Sequence, residues 1–178
     1  RSLSSELQSL GINVINIGVV TSPLLYFAAK KIKSKSGIMI TGSHNPKNYI
    51  LTRVYASSLD GKKIPISLIK RKNTPKNAPT LLYGYGSYGI SIPPSFSASR
   101  LSLSDRGMIY AIAHIRGGME KGKKWYEDGK KRKKLNSFND FISCAKFLKK
   151  ENISGNISIH GGSAGGLLIG ASLNISPD

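Results

Sequence analysis

Apolar positions along this chain follow two rhythms, a helical one of three to four residues and a strand rhythm of two. Leu3, Leu7 and Leu10 keep the helical spacing, and Gly11 is placed to end that helix. Asn13-Val14-Ile15-Asn16-Ile17 then reads as a strand. Thr21-Ser22-Pro23 offers an N-cap followed by proline at the first helical position, and Leu25, Ala28, Ala29 and Ile32 line one face beyond it. Gly37-Ile38-Met39-Ile40-Thr41 reads as a second, buried strand that opens into Gly42-Ser43-His44-Asn45-Pro46. Strand, helix, strand predicts a parallel α/β unit.

The rhythm restarts near Arg53. Asp60-Gly61 is a hairpin signal between Val54-Tyr55-Ala56 and the apolar run 64–69. Residues 70–79 form a Lys/Asn/Pro loop. Thr80-Leu81-Leu82-Tyr83 reads as a strand that runs into the turn Gly84-Tyr85-Gly86, and 108–113 as another buried strand. Ser137, with Asp140 three residues on, predicts a capping box. Phe138, Phe141, Ile142, Ala145 and Leu148 give the helix behind it an apolar face. Asn156-Ile157-Ser158-Ile159 alternates as a short strand, and 167–173 is apolar and long enough for a buried helix.

Between that strand and that helix stands Gly161-Gly162-Ser163-Ala164-Gly165, a G-x-S-x-G in the context a nucleophile elbow requires. A serine on a strained turn needs neighbours with almost no side chain. The following helix aims its first N–H groups at the site, where negative charge is stabilised. The pentapeptide alone is equally a Gly-rich turn that starts a helix.

Charge changes the picture less than its size suggests. The net charge is +18, from 20 Lys and 7 Arg against 9 acidic residues. The densest run is 121–134, yet no zinc spacing, aromatic RNA-binding motif or helix-turn-helix pattern accompanies it. The expectation is a solvated basic surface and no specific nucleic-acid partner. No apolar run approaches the roughly 18 residues of a membrane span, so no membrane partner is expected. The N-terminus has no signal-peptide pattern and no initiator Met. The single Cys144 excludes an internal disulfide, fits a reducing, cytoplasmic compartment and falls on an apolar helix face as a structural thiol.

Two resemblances follow from these residues. The decapeptide 37–46 resembles the phosphoserine loop of the phosphomannomutase and phosphoglucomutase family, and Ile17-Gly18-Val19-Val20-Thr21-Ser22-Pro23 is similar to that family's first domain. This likeness covers residues 1–49. It implies that Ser43 carries the transferred phosphoryl group, that His44 lies beside it, and that Arg1 ends an Arg-bearing phosphate contact. Phosphoryl transfer needs positioning, positive charge and usually a metal. The family uses Mg²⁺, but the chain has no Asp-x-Asp-x-Asp-type cluster to hold it, and Asn48-Tyr49 runs into Ile50-Leu51-Thr52 in place of a Tyr-Asn-Gly turn.

Residues 52–178 resemble the oligopeptidase B branch of the prolyl oligopeptidase family. The stretches that carry this are Leu82-Tyr83-Gly84-Tyr85-Gly86-Ser87-Tyr88-Gly89, Ala113-His114-Ile115-Arg116-Gly117-Gly118, Trp125-Tyr126-Glu127-Asp128-Gly129, Phe138-Asn139-Asp140-Phe141 and the elbow. Met119 departs from the family, which usually has a third glycine there. The resemblance implies Ser163 as acyl-forming nucleophile, the Ala164 N–H and the Tyr85 hydroxyl as oxyanion donors, and Tyr88 near the first substrate subsite. It implies oligopeptide substrates and no cofactor or metal. By itself Tyr85 reads better as a packed core tyrosine than as an oxyanion donor, and the Gly-rich loop around it reverses that order.

A serine hydroxyl needs a base, and α/β-hydrolases supply it in the order Ser, acid, His. The 15 residues after Ser163 contain no His and one acid, Asp178. All 3 His precede it: His44 in the mutase-like loop, His114 at a strand end in a structural setting, and His160 on the elbow strand with its ring directed away. The expected fold is therefore α/β: an incomplete α/β-hydrolase domain, residues 50–178, ending after the elbow, preceded by a small α/β fragment of a phosphohexomutase domain, residues 1–49. The join suggests a chimera. Two separate small sheets are expected, with a serine endopeptidase identity for the larger part and no activity for the chain alone.

Overall fold

The computed structural model describes residues 3–17, 22–34, 37–38, 48–95 and 97–177. The chain divides into two compact units, Arg1–Gly42 and Ser43–Asp178. The first contains α1 (Leu3–Ser9) and α2 (Ser22–Lys31). As expected, α1 stops at Gly11, which takes φ 76°. There the Ile12 N–H donates to the Leu7 carbonyl at 3.1 Å and the Gly11 N–H to the Gln8 carbonyl at 3.0 Å, a Schellman cap. α2 closes in the same way without a glycine: Lys33 adopts φ 54° and the Ser34 N–H reaches the Ala29 carbonyl at 2.9 Å.

Residues 13–17 are not a strand, which corrects the expectation. A strand needs a neighbour for its backbone groups, and no strand lies beside them among the described residues. Gly37 and Ile38 are not strand either, while Met39, Ile40 and Thr41 lie outside the described residues. The expected pair of separate sheets is thus replaced, among the described residues, by one sheet in the second unit.

That sheet has five strands: β1 (Tyr49–Ser57), β2 (Lys63–Arg71), β3 (Ala78–Gly84), β4 (Ile109–Ala113) and β5 (Ser154–His160). Their order is β1-β2-β4-β3-β5. β1, β2 and β4 pair antiparallel, while β3 runs parallel to both β4 and β5. The β1–β2 hairpin turns at Asp60-Gly61, with Gly61 at φ 77°. Pro65 has no N–H to give, and the β2–β4 ladder begins one residue later, at Ile66. All five residues of β4 are buried, as a continuous apolar run in a central strand demands.

Helices cover both faces. α3 (Ala98–Asp105) packs with Ile69, Tyr110 and Ile112 on one side. α5 (Leu135–Lys150) and α6 (Ala164–Ile175) cover the other, where Ile66, Leu68, Leu82, Ala111, Phe141, Cys144, Leu148 and Leu168 form the main core. α4 (Lys123–Glu127) and a 3₁₀ turn, Lys131–Lys133, lead into α5. α3 escapes a reading by periodicity because its sequence, ASRLSLSD, is serine-rich and weak in helix propensity.

The capping box at Ser137 and Asp140 is not formed. α5 already starts at Leu135, so Ser137 lies inside it. Ser137 Oγ instead donates to the carbonyls of Arg116 at 2.6 Å and Gly129 at 3.1 Å. Asp140 turns inward to Arg116.

Ahead of α5, Asp128 accepts from Lys133 Nζ at 2.8 Å and pairs with Lys124 Nζ at 3.2 Å. Those hydrogen bonds pull its carboxyl down to about 2. A lowered folded-state pKa stabilises above the unfolded value of about 3.9, and the contribution is lost as pH falls through the folded one. Urea midpoints of Asp128→Asn should therefore fall below wild type at pH 5 and converge on it near pH 2. Equal gaps at both pH values would refute this.

Candidate active site

The parallel strands β4, β3 and β5 gather three loops at their carboxyl ends. β3 is the point where the order reverses: β4 is reached on one side and β5 on the other. Such a switch point opens a crevice beyond the strand ends. Residues 85–89 leave β3 into it, 114–119 leave β4, and 161–163 leave β5.

Ser163 sits between β5 and α6 at φ 53°, ψ −120°. A non-glycine residue at positive φ costs about 1–3 kcal/mol and points to a constraint beyond the turn itself. The residue is exposed. The glycines explain how the turn closes. A Cβ at Gly161 would overlap the backbone carbonyl of Gly165, and one at Gly165 would stand 2.8 Å from the Gly84 carbonyl oxygen. At Gly162 a Cβ meets nothing within 4 Å. Gly161→Ala should accordingly destabilise by roughly 1–3 kcal/mol, the range for forced overpacking, and Gly162→Ala by much less. Urea unfolding of both variants checks the order.

Ala164 opens α6, so its N–H belongs to the first turn, whose donors have no intrahelical acceptor. The Gly165 and Gly166 N–H groups are taken by the carbonyls of Gly162 and Ser163, each at 2.8 Å. The Tyr85 ring borders the same helix start, with Cδ2 3.6 Å from where a Gly165 Cβ would be. Ser163, Ala164 and Tyr85 are thus brought to one place. Tyr88 is 75% exposed on the same loop as Tyr85, at φ 56°. Met119 reaches this loop: its methyl would lie 2.9 Å from a Cβ on Gly89.

The two described histidines have partners other than the serine. His160 pairs with Tyr83 across the sheet and its ring meets that of Tyr83 at 5.6 Å, on the α3 side. His114 is buried, with Nε2 2.8 Å from Ser67 Oγ, its N–H on the Pro65 carbonyl and its carbonyl on Trp125 Nε1. Ser43, His44 and Arg1 lie outside the described residues. Burial pushes the Cys144 thiol up, with Asp140 adding to it, which suits an inert core thiol.

Two scaffolding residues were hidden from the pattern reading. Arg116 is buried yet charged, with hydrogen bonds to Asp140, Asp60 and Ser58. Lys134 reaches the 85–89 turn. The available signal was the buried stripe Ser137, Asp140, Phe141, Cys144, Leu148 on α5, whose helical spacing puts a carboxylate in the core.

Residues 94–178 match the prolyl oligopeptidase family. This part of the chain resembles the prolyl oligopeptidase family. The prolyl oligopeptidase-like part is 48% identical over 140 residues to dipeptidyl aminopeptidase BI of Pseudoxanthomonas mexicana, covering 76% of this chain and 19% of that protein. It is 42% identical over 138 residues to the prolyl endopeptidase of Elizabethkingia miricola, covering 75% and 20%. Oligopeptidase B from Leishmania major superposes with TM-score 0.72 at 46% identity over 78% of this chain and 20% of its own. Oligopeptidase B from Trypanosoma brucei, solved with covalently bound antipain, gives 0.72 at 49% over the same shares. The chain spans about a fifth of the length of these relatives. Residues 1–71 match the phosphoglucomutase/phosphomannomutase alpha/beta/alpha domain I. That match runs on through β1 and β2, which belong to the sheet of the second unit.

Proposed function

We propose that the second unit is the nucleophile-bearing part of a serine peptidase of the oligopeptidase B type, in which Ser163 forms the acyl-enzyme. The backbone of Ser163, held at positive φ between β5 and α6, carries this reading. Its Oγ would attack the scissile carbonyl carbon while a base takes its proton. The oxyanion so formed would lie before the Ala164 N–H and the Tyr85 hydroxyl. One such donor is worth roughly 2.7–4 kcal/mol. The substrates proposed are oligopeptides, with Tyr88 beside the residue at the cut. No cofactor enters the chemistry. The test joins this chain to the segment that follows the elbow in its relatives. Hydrolysis of a chromogenic Arg substrate should then appear and vanish with Ser163→Ala; hydrolysis indifferent to Ser163 would overturn the reading.

The match at residues 1–71 favours a second reading, phosphoryl transfer through Ser43 with His44 and Arg1 in support. Mg²⁺ would be its metal, but among the described residues no three His, Cys, Asp or Glu side chains converge to hold one. Phosphoprotein mass spectrometry after incubation with a hexose bisphosphate tests the idea, a phosphate on Ser43 being the supporting result.

The Lys-rich surface is proposed to bind nucleic acid only nonspecifically, in a cytoplasmic setting. Duplex DNA binding should fall by orders of magnitude between about 50 and 200 mM salt and show no sequence preference. A specific complex surviving about 200 mM salt would promote a binding-protein role.

A further inference from the structure

The turn at 85–89 is strained. Gly86, Tyr88 and Gly89 all hold positive φ, at 63°, 56° and 67°. For a side chain as bulky as tyrosine this is an outlier, kept only where the surroundings over-determine it. One restraint is the Gly89 N–H, which donates to the Gly117 carbonyl at 3.0 Å. A second is the Ile90 N–H, which donates to the Ser87 carbonyl at 3.0 Å. A third is Lys134, whose Nζ donates to the Gly86 carbonyl at 2.6 Å and to Ser87 Oγ at 2.9 Å.

Lys134 is unlike the other lysines of its run. Lys124 and Lys133 pair with Asp128, Lys121 and Lys130 lie over aromatic rings at 4.5 and 4.3 Å, and the bond of Lys121 to the Lys63 carbonyl, at 3.1 Å, is exposed. Lys134 is half-buried, and burial lowers its pKa. Among the described residues its partners are that carbonyl, that hydroxyl and the Phe138 ring at 5.9 Å. An ammonium that gives up hydration without a carboxylate must recover it from the groups it touches. Here both hydrogen-bond partners belong to one strained turn.

We infer that Lys134 is a positioning residue, its ammonium locking the peptide at Gly86-Ser87 so that the turn presents Tyr85 and Tyr88 to the elbow. The inference rests on the proposed reading of that turn as the oxyanion and substrate loop. It predicts a local effect. Amide hydrogen exchange, followed by NMR on this chain, should rise on the order of tenfold at Gly89 and Ile90 in Lys134→Met, the loss expected for a hydrogen bond to a charged group. Ala111 and Ile112, in the central strand, should not change. Lys134→Arg keeps the charge and donors and should restore most of the protection. Ser87→Ala removes one acceptor and should give a smaller rise.

No rise at the turn, or an equal rise in turn and sheet, overturns the inference. Should Lys134→Met not fold, Ser87→Ala decides: an unchanged Gly89 and Ile90 overturns it. In the extended chain Lys134→Met should lower kcat more than it raises KM for the Arg substrate. If exchange follows Lys134 while Ser163-dependent hydrolysis never appears, the peptidase reading fails and the positioning role stands. Hydrolysis with an exchange pattern indifferent to Lys134 removes the positioning role alone.

Discussion

Purified alone, the 178-residue chain should not hydrolyse a chromogenic Arg or Lys peptide substrate measurably above its Ser163→Ala form. The elbow supplies a serine and the Ala164 N–H, and Tyr85 borders it from the loop after β3; neither of these groups takes a proton from the serine at neutral pH. No His and no acid except Asp178 follows Ser163. His160, three residues before it, is occupied with Tyr83. His114 is enclosed between Ser67 and the loop at Glu120. An enzyme stripped of triad members keeps roughly 10³–10⁴ over water, from its oxyanion hole and substrate binding. Uncatalysed peptide hydrolysis is slow enough that this factor escapes an ordinary assay. Even that residue of activity requires a rigid, dry site, whereas Ser163 is exposed and Leu167 on α6 beside it is 63% exposed. Three proteins decide the matter: this chain, its Ser163→Ala form and the chain extended through an acid and a histidine. Ser163-dependent turnover by the unextended chain would reveal a base within it, and His160→Ala would be the variant to make next.

Where the local pattern decides the structure, the sequence was legible. The hairpin at Asp60-Gly61, the buried run of β4, the alternation of Ile157 and Ile159, and the apolar stripe of α5 all appear where the pattern placed them. So does the elbow, because glycines at 161 and 165 are required by backbone contacts that nothing larger would permit. Pattern failed where partners decide structure. Residues 13–17 alternate like a strand but have no strand to pair with among the described residues. Asp140 looks like a cap at short range, and only the fold shows that Arg116, 24 positions away, claims it. Lys134 sits in a run of lysines that reads as surface, and nothing in its neighbours marks it as the one turned inward. Charge and spacing locate such residues poorly, since their roles come from contacts between segments distant in the chain.

The largest loss of stability should come from Asp140→Ala or Arg116→Met. The Asp140 side chain is fully buried and that of Arg116 is 2% exposed, with Nη2 to Oδ1 at 2.6 Å and Nε to Oδ2 at 2.8 Å. Asp140 also accepts the Arg116 backbone N–H at 3.1 Å and Ser58 Oγ at 2.6 Å. Asp60 closes the far side of the guanidinium at 2.7 Å, and this contact, chiefly, lowers the Asp60 pKa. Burial by itself would lower the Arg116 pKa, but the hydrogen bonds to Asp140 and Asp60 together outweigh it and raise it. Arg116 therefore stays charged at any working pH, and removing Asp140 leaves a buried cation with only half-exposed Asp60 to answer it. Breaking a buried pair from one side costs about 3–5 kcal/mol. That is a large share of the roughly 5–15 kcal/mol that holds a domain together. The damage should reach the site, because the loop that Arg116 anchors supplies the Gly117 carbonyl to the Gly89 N–H. Replacing both partners, as Arg116→Met with Asp140→Leu, should recover part of the loss, since no charge is then stranded. Recovery should be incomplete, because the Arg116 N–H and the Ser58 hydroxyl lose their acceptor. Urea unfolding of the two single variants and the double variant measures all three. Single variants within about 1 kcal/mol of wild type, as for an exposed pair, would show that the network is surface decoration and not a brace of the loop that carries Tyr85.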